Sequence, residues 1–356
     1  MVKIQMKLQS LPDEEVLYQA VIERDTAHQG LFFFGVKTTG IFCRPGCHAR
    51  PPLRQNIDYF DSIQAALNYG YRPCKLCSPL SKPGETPGWL KALLDDVHVA
   101  PERAYKDYDL RQRGLDPTRV RRWFLRHHGM TFHAYIKALR INRAFKKMKN
   151  NETVTSVAFD SGYDSLSGFQ QAFKNITGLS PTQTSGHTLV NFSHVATPLG
   201  PMVAAASERG LCLLEFGDRK QIDVQIAQLR GLLQAIFVKG ENGHLKNLEI
   251  QLDEYFGGKR RRFDLPLDLA GTAFQLEAWR ALQTIPYGQT RSYLDQARAI
   301  GRDKAVRAVA SANAKNRIAI VIPCHRVIAK NGSLAGFGGG VWRKKYLLDL
   351  ESSSDT

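Results

Sequence analysis

The run Ile318-Ala319-Ile320-Val321-Ile322-Pro323-Cys324-His325-Arg326-Val327-Ile328 is apolar and β-branched until it stops at Pro-Cys-His. Two readings meet on Cys324. A single cysteine at the end of an apolar run is ordinarily a core residue, because a free thiol packs as a small hydrophobe. The adjacent histidine favours a second reading, since a base near a thiol supplies the attacking thiolate. Neighbouring side chains on an extended stretch point to opposite faces. Cys324 and His325 therefore cooperate only across a bend, and Pro323 is placed to help make one.

The flanks tip the balance. Before the run stand Gly271-Thr272-Ala273-Phe274-Gln275, Trp279, Ile285-Pro286-Tyr287-Gly288, Ser292-Tyr293, Arg307-Ala308-Val309 and Asn316; after it come Gly332 and Leu347-Leu348-Asp349-Leu350-Glu351. With these motifs in this order, the segment 190–351 resembles the O6-alkylguanine-DNA alkyltransferases. The resemblance implies that Cys324 accepts the alkyl group from guanine O6, with O4-methylthymine as a further substrate. His325 then takes the thiol proton through a water, and Glu351 orients and charges that relay, which is serine-protease triad logic moved to a thiol. Asn316 helps hold the active-site turn, Tyr293 donates to the leaving guanine, and Arg307 enters the stack vacated by the flipped base. Ala278 stands where the family has Val. Small residues around Arg307 suit close approach to a groove, although simple helix propensity also explains an alanine-rich stretch. A thioether is a poor leaving group, so the protein is expected to act once per site and be consumed.

A second cysteine pattern lies near the start: Cys43-x3-Cys47, then 26 residues, then Cys74-x2-Cys77. Two close pairs brought together form the four-thiolate tetrahedron that suits Zn²⁺, and a structural role is the ordinary one for such a site. The flanks Gly35-Val36-Lys37-Thr38-Thr39-Gly40-Ile41-Phe42 and Arg44-Pro45-Gly46, with Phe60 and Gly70-Tyr71-Arg72-Pro73, resemble the zinc domain of Ada-type adaptive-response proteins. That resemblance makes Cys43 both a zinc ligand and the nucleophile that takes methyl from a DNA methylphosphotriester. Zinc keeps the thiol deprotonated. Methylating one of four zinc-bound thiolates removes one negative charge, which strengthens attraction to a phosphate backbone.

Between these sites, residues from about 89 to 187 read as helical and resemble the AraC-type regulator domain with two helix-turn-helix units. The first runs through Leu110 to Phe124, the second through Val154 to Lys174, with Ala158 and Gly162 fitting a tight helix pair. The candidate DNA-facing residues are Arg119, Arg121, Arg122 and Arg126 in the first unit, and Ser167, Gln170, Gln171 and Lys174 in the second. Gln112-Arg113 depart from the small apolar residues usual in the first unit.

Composition frames these sites. The 356 residues carry a net charge of +16 and 43% hydrophobic residues, enough for real cores. The excess is +2 over 1–85, +7 over 86–187 and +7 over 188–356, so a nucleic-acid partner is expected mainly beyond the first domain. No apolar run reaches the length of a membrane span, and the first ten residues lack the apolar core of a secretory signal. A bacterial cytoplasmic protein is expected. Runs at 203–206 and 211–216 read as a hairpin, and helices are expected near 221–237, over 243–256 and from Thr272. The expected architecture is multidomain α+β. It comprises a small zinc-bound α/β module (1–85), an all-α double helix-turn-helix domain (86–187), an α+β subdomain (188–270) and a helical, winged-helix-like alkyltransferase subdomain (271–356). The expected partners are alkylated double-stranded DNA, promoter DNA and RNA polymerase, met by a monomer. Two alternatives stand beside this reading. One is a repair-only alkyltransferase whose helical domain adds DNA affinity. The other is a regulator with an inactive alkyltransferase domain, against which Cys324, His325, Asn316 and Glu351 together argue.

Overall fold

The computed structural model describes residues 11–352 apart from 12, 26–27, 29, 81–85, 129, 220, 241 and 335. The centre of the Pro/Gly-rich linker expected at 78–88 therefore lies outside the described residues.

The first module is one sheet covered on both faces. Helix α1 (Glu14–Ile22) is followed by strands β1 (Phe33–Val36), β2 (Ile41–Cys43) and β3 (Ile57–Phe60), helix α2 (Ile63–Asn68) and strand β4 (Arg72–Pro73). The strand order is β3-β1-β2-β4, antiparallel except for the parallel pair β2–β4. Side chains alternate along a strand. Phe34 accordingly packs with Leu17, Ala20 and Val21 of α1, while Phe33 packs with Phe42, Phe60, Ala66 and Tyr71 on the α2 side. This explains why the aromatic run at 31–34 has no polar member.

Six helices follow: α3 (Gly88–Val99), α4 (Asp107–Gln112), α5 (Pro117–His128), α6 (Phe132–Lys149), α7 (Val154–Asp160) and α8 (Leu166–Thr177). The pairs α4/α5 and α7/α8 are the two helix-turn-helix units, and α6 joins them. Hydroxyl caps start three of the helices: Thr131 accepts from Ala134 N, Thr153 from Ser156 N and Ser165 from Gly168 N. The turn of the second unit requires glycine. Gly162 has φ +75° and a Cβ there would lie 2.5 Å from the Glu102 carbonyl oxygen. Arg140 of α6 donates to the carbonyls of Pro101 (2.6 Å) and Arg103 (2.9 Å), fixing the loop after α3.

The last half begins with β5 (Thr188–Thr197), β6 (Gly200–Ala206), β7 (Leu211–Phe216), α9 (Ile222–Leu232), β8 (Ala235–Lys239) and α10 (Gly243–Phe256). The expected hairpin is present as β6–β7, in a sheet of order β7-β6-β5-β8. The helix expected over 221–237 ends at Leu232. Gln234 turns the chain at φ +45°, and the buried segment Ala235–Lys239 joins β5 in parallel. Helix α11 (Ala273–Gln283), β9 (Arg291–Ser292), α12 (Tyr293–Ala299), α13 (Val306–Ala314), β10 (Val327–Ile328) and α14 (Val341–Ser352) complete the chain, with β9 and β10 in a short parallel pair. The chain is thus a multidomain α+β protein, as expected.

Two junctions join these parts. Ile141, Phe145, Phe169 and Phe173 of the helical domain share one core with Leu189, Ile236 and Val238 of the following sheet. Beside it, the buried Lys239 donates from Nζ to the His128 carbonyl at 2.9 Å, capping the end of α5. At the other junction the His28 ring of the first module stacks on Trp342 of α14, with centroids 5.0 Å apart.

Candidate functional site

The parallel pair β2–β4 assembles the four cysteines. Cys43 is the last residue of β2 and Cys74 follows β4, with Cys74 N donating to Phe42 O at 3.0 Å. Tight turns then deliver Cys47 and Cys77. Their four Sγ atoms all lie within 4.8 Å of one another, and Cys43, Cys47 and Cys74 are buried. Hydrogen bonds from Cys43 and Cys77 hold the Cys47 thiol down at about 2. The Cys43 thiol is pushed far up by its hydrogen bonds to Cys47 and Cys77 and by burial. The Cys43 hydrogen bond lowers Cys77, but the Cys47 hydrogen bond and burial outweigh it and Cys77 ends at about 12. Thiolates packed this closely repel one another. Full deprotonation needs a compensating cation, and soft sulfur donors at this spacing fit Zn²⁺. Arg44, which the spacing did not single out, is buried beside the cluster and donates to Ser78 O at 2.7 Å.

The second site departs from the extended run that its sequence suggests. Ile318 makes one bridge to Leu214, and the chain then turns: Ile322 N donates to Ile318 O at 2.9 Å. Ile320 adopts φ +71°, a strained state for a β-branched residue, within a turn whose backbone is pinned on both sides. Asn316 provides that pinning. Its Nδ2 donates to Ile322 O (2.8 Å) and to Cys324 Sγ (3.2 Å), and its Oδ1 accepts from Ile318 N (3.0 Å). A 3-10 turn over Cys324–Arg326 then supplies the bend expected at these two neighbouring residues.

Beyond this turn His325 is fully buried, and its Nε2 lies 2.9 Å from Glu351 Oε1. Glu351 on α14 also accepts from Tyr255 Oη (2.7 Å), Gly288 N (3.2 Å) and Arg326 Nε (2.8 Å) and Nη2 (2.9 Å). Burial pushes the Glu351 carboxyl up, but the hydrogen bonds from His325 and Arg326 and the charge of Arg326 prevail and hold it at about 2. Burial lowers His325 against the raising hydrogen bond and charge of Glu351, which favours the neutral imidazole, and facing the Glu351 carboxylate Nε2 is then the donor. Its Nδ1 is then a buried acceptor with no hydrogen-bond partner among the described residues. Burial raises the Cys324 thiol while the Asn316 hydrogen bond lowers it. The Tyr293 phenol is raised by burial and by Cys324. Arg307 is exposed on α13. The sequence motif contained Arg326 without assigning it a part, and Tyr255, 96 residues from Glu351, carried no local signal at all.

The helical domain presents its candidate contacts unevenly. Gln170, Gln171 and Lys174 are exposed along α8, and Arg122 is exposed on α5. Arg119 is exposed too, with its guanidinium 4.2 Å over the Trp89 ring, and Arg121 is paired with Asp107 at 3.0 Å. The side chain of Arg126 lies outside the described residues.

A cysteine beside a buried His–Glu pair, seated in a helical domain, is an arrangement suited to accepting a group on sulfur. Residues 273–353 match the family described as 6-O-methylguanine DNA methyltransferase, DNA binding domain, and 190–269 match its ribonuclease-like domain. Residues 16–79 match the metal binding domain of Ada, and 111–186 match a helix-turn-helix domain family. The chain is 35% identical to the bifunctional transcriptional activator/DNA repair enzyme Ada of Escherichia coli, over 98% of this chain and 99% of that protein. The chain belongs to the Ada family. Among solved structures, the Mycobacterium tuberculosis O6-methylguanine methyltransferase is 40% identical, covering 47% of this chain and 95% of that one with a TM-score of 0.41. The E. coli Ada protein in complex with DNA is 34% identical, covering 33% and 86% with a TM-score of 0.24.

Proposed function

We propose that this chain is a suicide DNA alkylation-repair protein and a transcriptional regulator, with its tasks divided over 1–85, 86–187, 188–270 and 271–356. The observation that carries the repair reading is the buried His325–Glu351 pair behind an Asn316-held Cys324. In this reading the Cys324 thiol gives its proton through a water to His325 Nδ1, and the imidazolium is stabilised by Glu351. Sulfur attacks the methyl carbon of O6-methylguanine, or of O4-methylthymine. The S–C bond forms, the C–O bond breaks, and the electron pair returns to the base, where Tyr293 donates. Arg307 fills the stack left by the flipped nucleotide.

Zn²⁺ held by Cys43, Cys47, Cys74 and Cys77 stabilises four thiolates and keeps Cys43 nucleophilic at neutral pH. Cys43 takes methyl from a DNA methylphosphotriester, which leaves as the phosphate anion. The sensor then carries one negative charge fewer and holds promoter DNA more tightly. The engaged Arg119 and Arg121 favour the second unit, through Gln170, Gln171 and Lys174, as the reader of sequence, with Arg122 on phosphate. The methylated protein acts as a cytoplasmic monomer that assists RNA polymerase.

Incubation with a duplex carrying O6-methylguanine is expected to add about 14 Da to the Cys324 peptide, one methyl per chain. An unmodified peptide refutes the repair reading. Methylphosphotriester DNA is expected to mark Cys43 and to tighten promoter binding at matched salt. Marking without tightening leaves a repair-only protein.

A further inference from the structure

The sheet subdomain carries a buried ion pair that no step above uses. The side chains of Glu215, on β7, and Arg219, just beyond it, are 1% and 11% exposed. Glu215 accepts from Arg219, from Phe216 N (3.0 Å) and from Gln225 Nε2 (3.2 Å). The other arm of the guanidinium donates to Ala314 O at 2.6 Å. Ala314 ends α13, the helix that carries Arg307, so Arg219 satisfies a helix-terminal carbonyl and complements the dipole there.

The same guanidinium also bears on a glycine-rich loop. A Cβ on Gly338 would lie 2.7 Å from it, and a Cβ on the adjacent Gly339 would lie 2.5 Å from the Phe216 ring. Arg343 holds the loop from another side, donating to Gly339 O at 2.9 Å. At the near end of the loop, a Cβ on Gly336 would sit 3.7 Å from Tyr293 Oη. One guanidinium therefore contacts both the helix that carries Arg307 and the loop that runs beside Tyr293.

We propose that Arg219, held by Glu215, is a positioning residue for alkyl transfer: it fixes α13 and the 336–340 loop at one separation around the damaged base. The proposal rests on the reading of Cys324 as alkyl acceptor. The role needs a planar fork with two donor arms, which a lysine does not offer.

The test is single-turnover transfer by the full chain from an O6-methylguanine duplex, read as a saturating rate and a half-saturating DNA concentration. Glu215→Gln/Arg219→Met removes the pair without leaving an unpaired buried carboxylate. Its saturating rate is expected to fall at least ~10-fold, since small misplacements at a reacting centre cost that much or more, with half-saturation within about threefold of wild type. Gly338→Ala, whose Cβ cannot share its place with the guanidinium and so forces the loop and Arg219 apart, is expected to reproduce the loss, and Arg219→Lys to leave it unrescued. A wild-type saturating rate in the double variant or in Gly338→Ala overturns the proposal, as does full rescue by lysine. If the double variant does not fold, Gly338→Ala and Arg219→Lys decide. If the wild-type chain leaves Cys324 unmodified, the parent reading fails instead.

Discussion

Glu351 is the residue on which the C-terminal site converges. Three side chains and one backbone amide donate to it in a fully enclosed place. Removing one member of a buried charge pair costs roughly 3–5 kcal/mol, because the other is left uncompensated. Glu351→Gln is expected to destabilise the chain by about that amount, and to slow transfer by ~10²–10⁴-fold through loss of the relay. Chemical denaturation and single-turnover rates check the two effects separately. The pH dependence follows from the same group. Glu351 is lowered from an ordinary 4.5 to about 2, so its stabilisation is complete above 4.5 and is lost as pH falls toward 2. His325, lowered by burial, acts in the same direction, since protonation below its ordinary 6.5 opposes the folded state. Unfolding free energy should therefore decline from about pH 6.5 downward and more steeply below 4.5. A flat profile between pH 7 and 4 would refute the buried neutral-imidazole arrangement.

Helices and strands were unevenly legible in the sequence. Cys43, Cys47, Cys74 and Cys77 were legible because metal sites depend on local spacing plus one long-range pairing, and the parallel register of β2 with β4 supplies that pairing. The run 318–322 reads as a strand by composition, yet Asn316 folds it into a turn through three hydrogen bonds. Pattern alone does not reveal a side chain that replaces a strand partner. Strand β8 was hidden for a similar reason: Ala235–Lys239 is buried throughout and shows no alternation, so it merged with the preceding helix. In the helical domain the residue types were legible but their engagement was not. Arg119 and Arg121 have the composition of DNA contacts and also lie against Trp89 and Asp107, with Arg119 still exposed. The turn of the second unit gives a sharp test. Gly162→Ala meets both the left-handed φ and the Glu102 carbonyl, and should lower stability by ~1–3 kcal/mol and weaken DNA binding. Thermal unfolding with the DNA affinity measures both, and an unchanged midpoint would mean that the turn relaxes freely.

On the scale of the whole molecule, the regulator and repair halves meet through a shared core as well as through a linker. Ile236 is 4% exposed and packs among Ile141, Phe145 and Phe173 from the helical domain. Ile236→Ala is expected to cost about 2–5 kcal/mol and to weaken promoter binding, although Ile236 lies outside the helix-turn-helix units. Promoter binding that is unaffected while the repair half is destabilised would show that the halves are energetically independent.

That shared wall also bears on the order in which the chain emerges from the ribosome. Helices α6 to α8 leave it well before β8 does, and translation proceeds at ~5–20 residues per second. For several seconds Phe145 and Phe173 wait for Ile236 and Val238. A message broken before β8 yields a helical domain with an uncovered apolar face, a target for proteolysis.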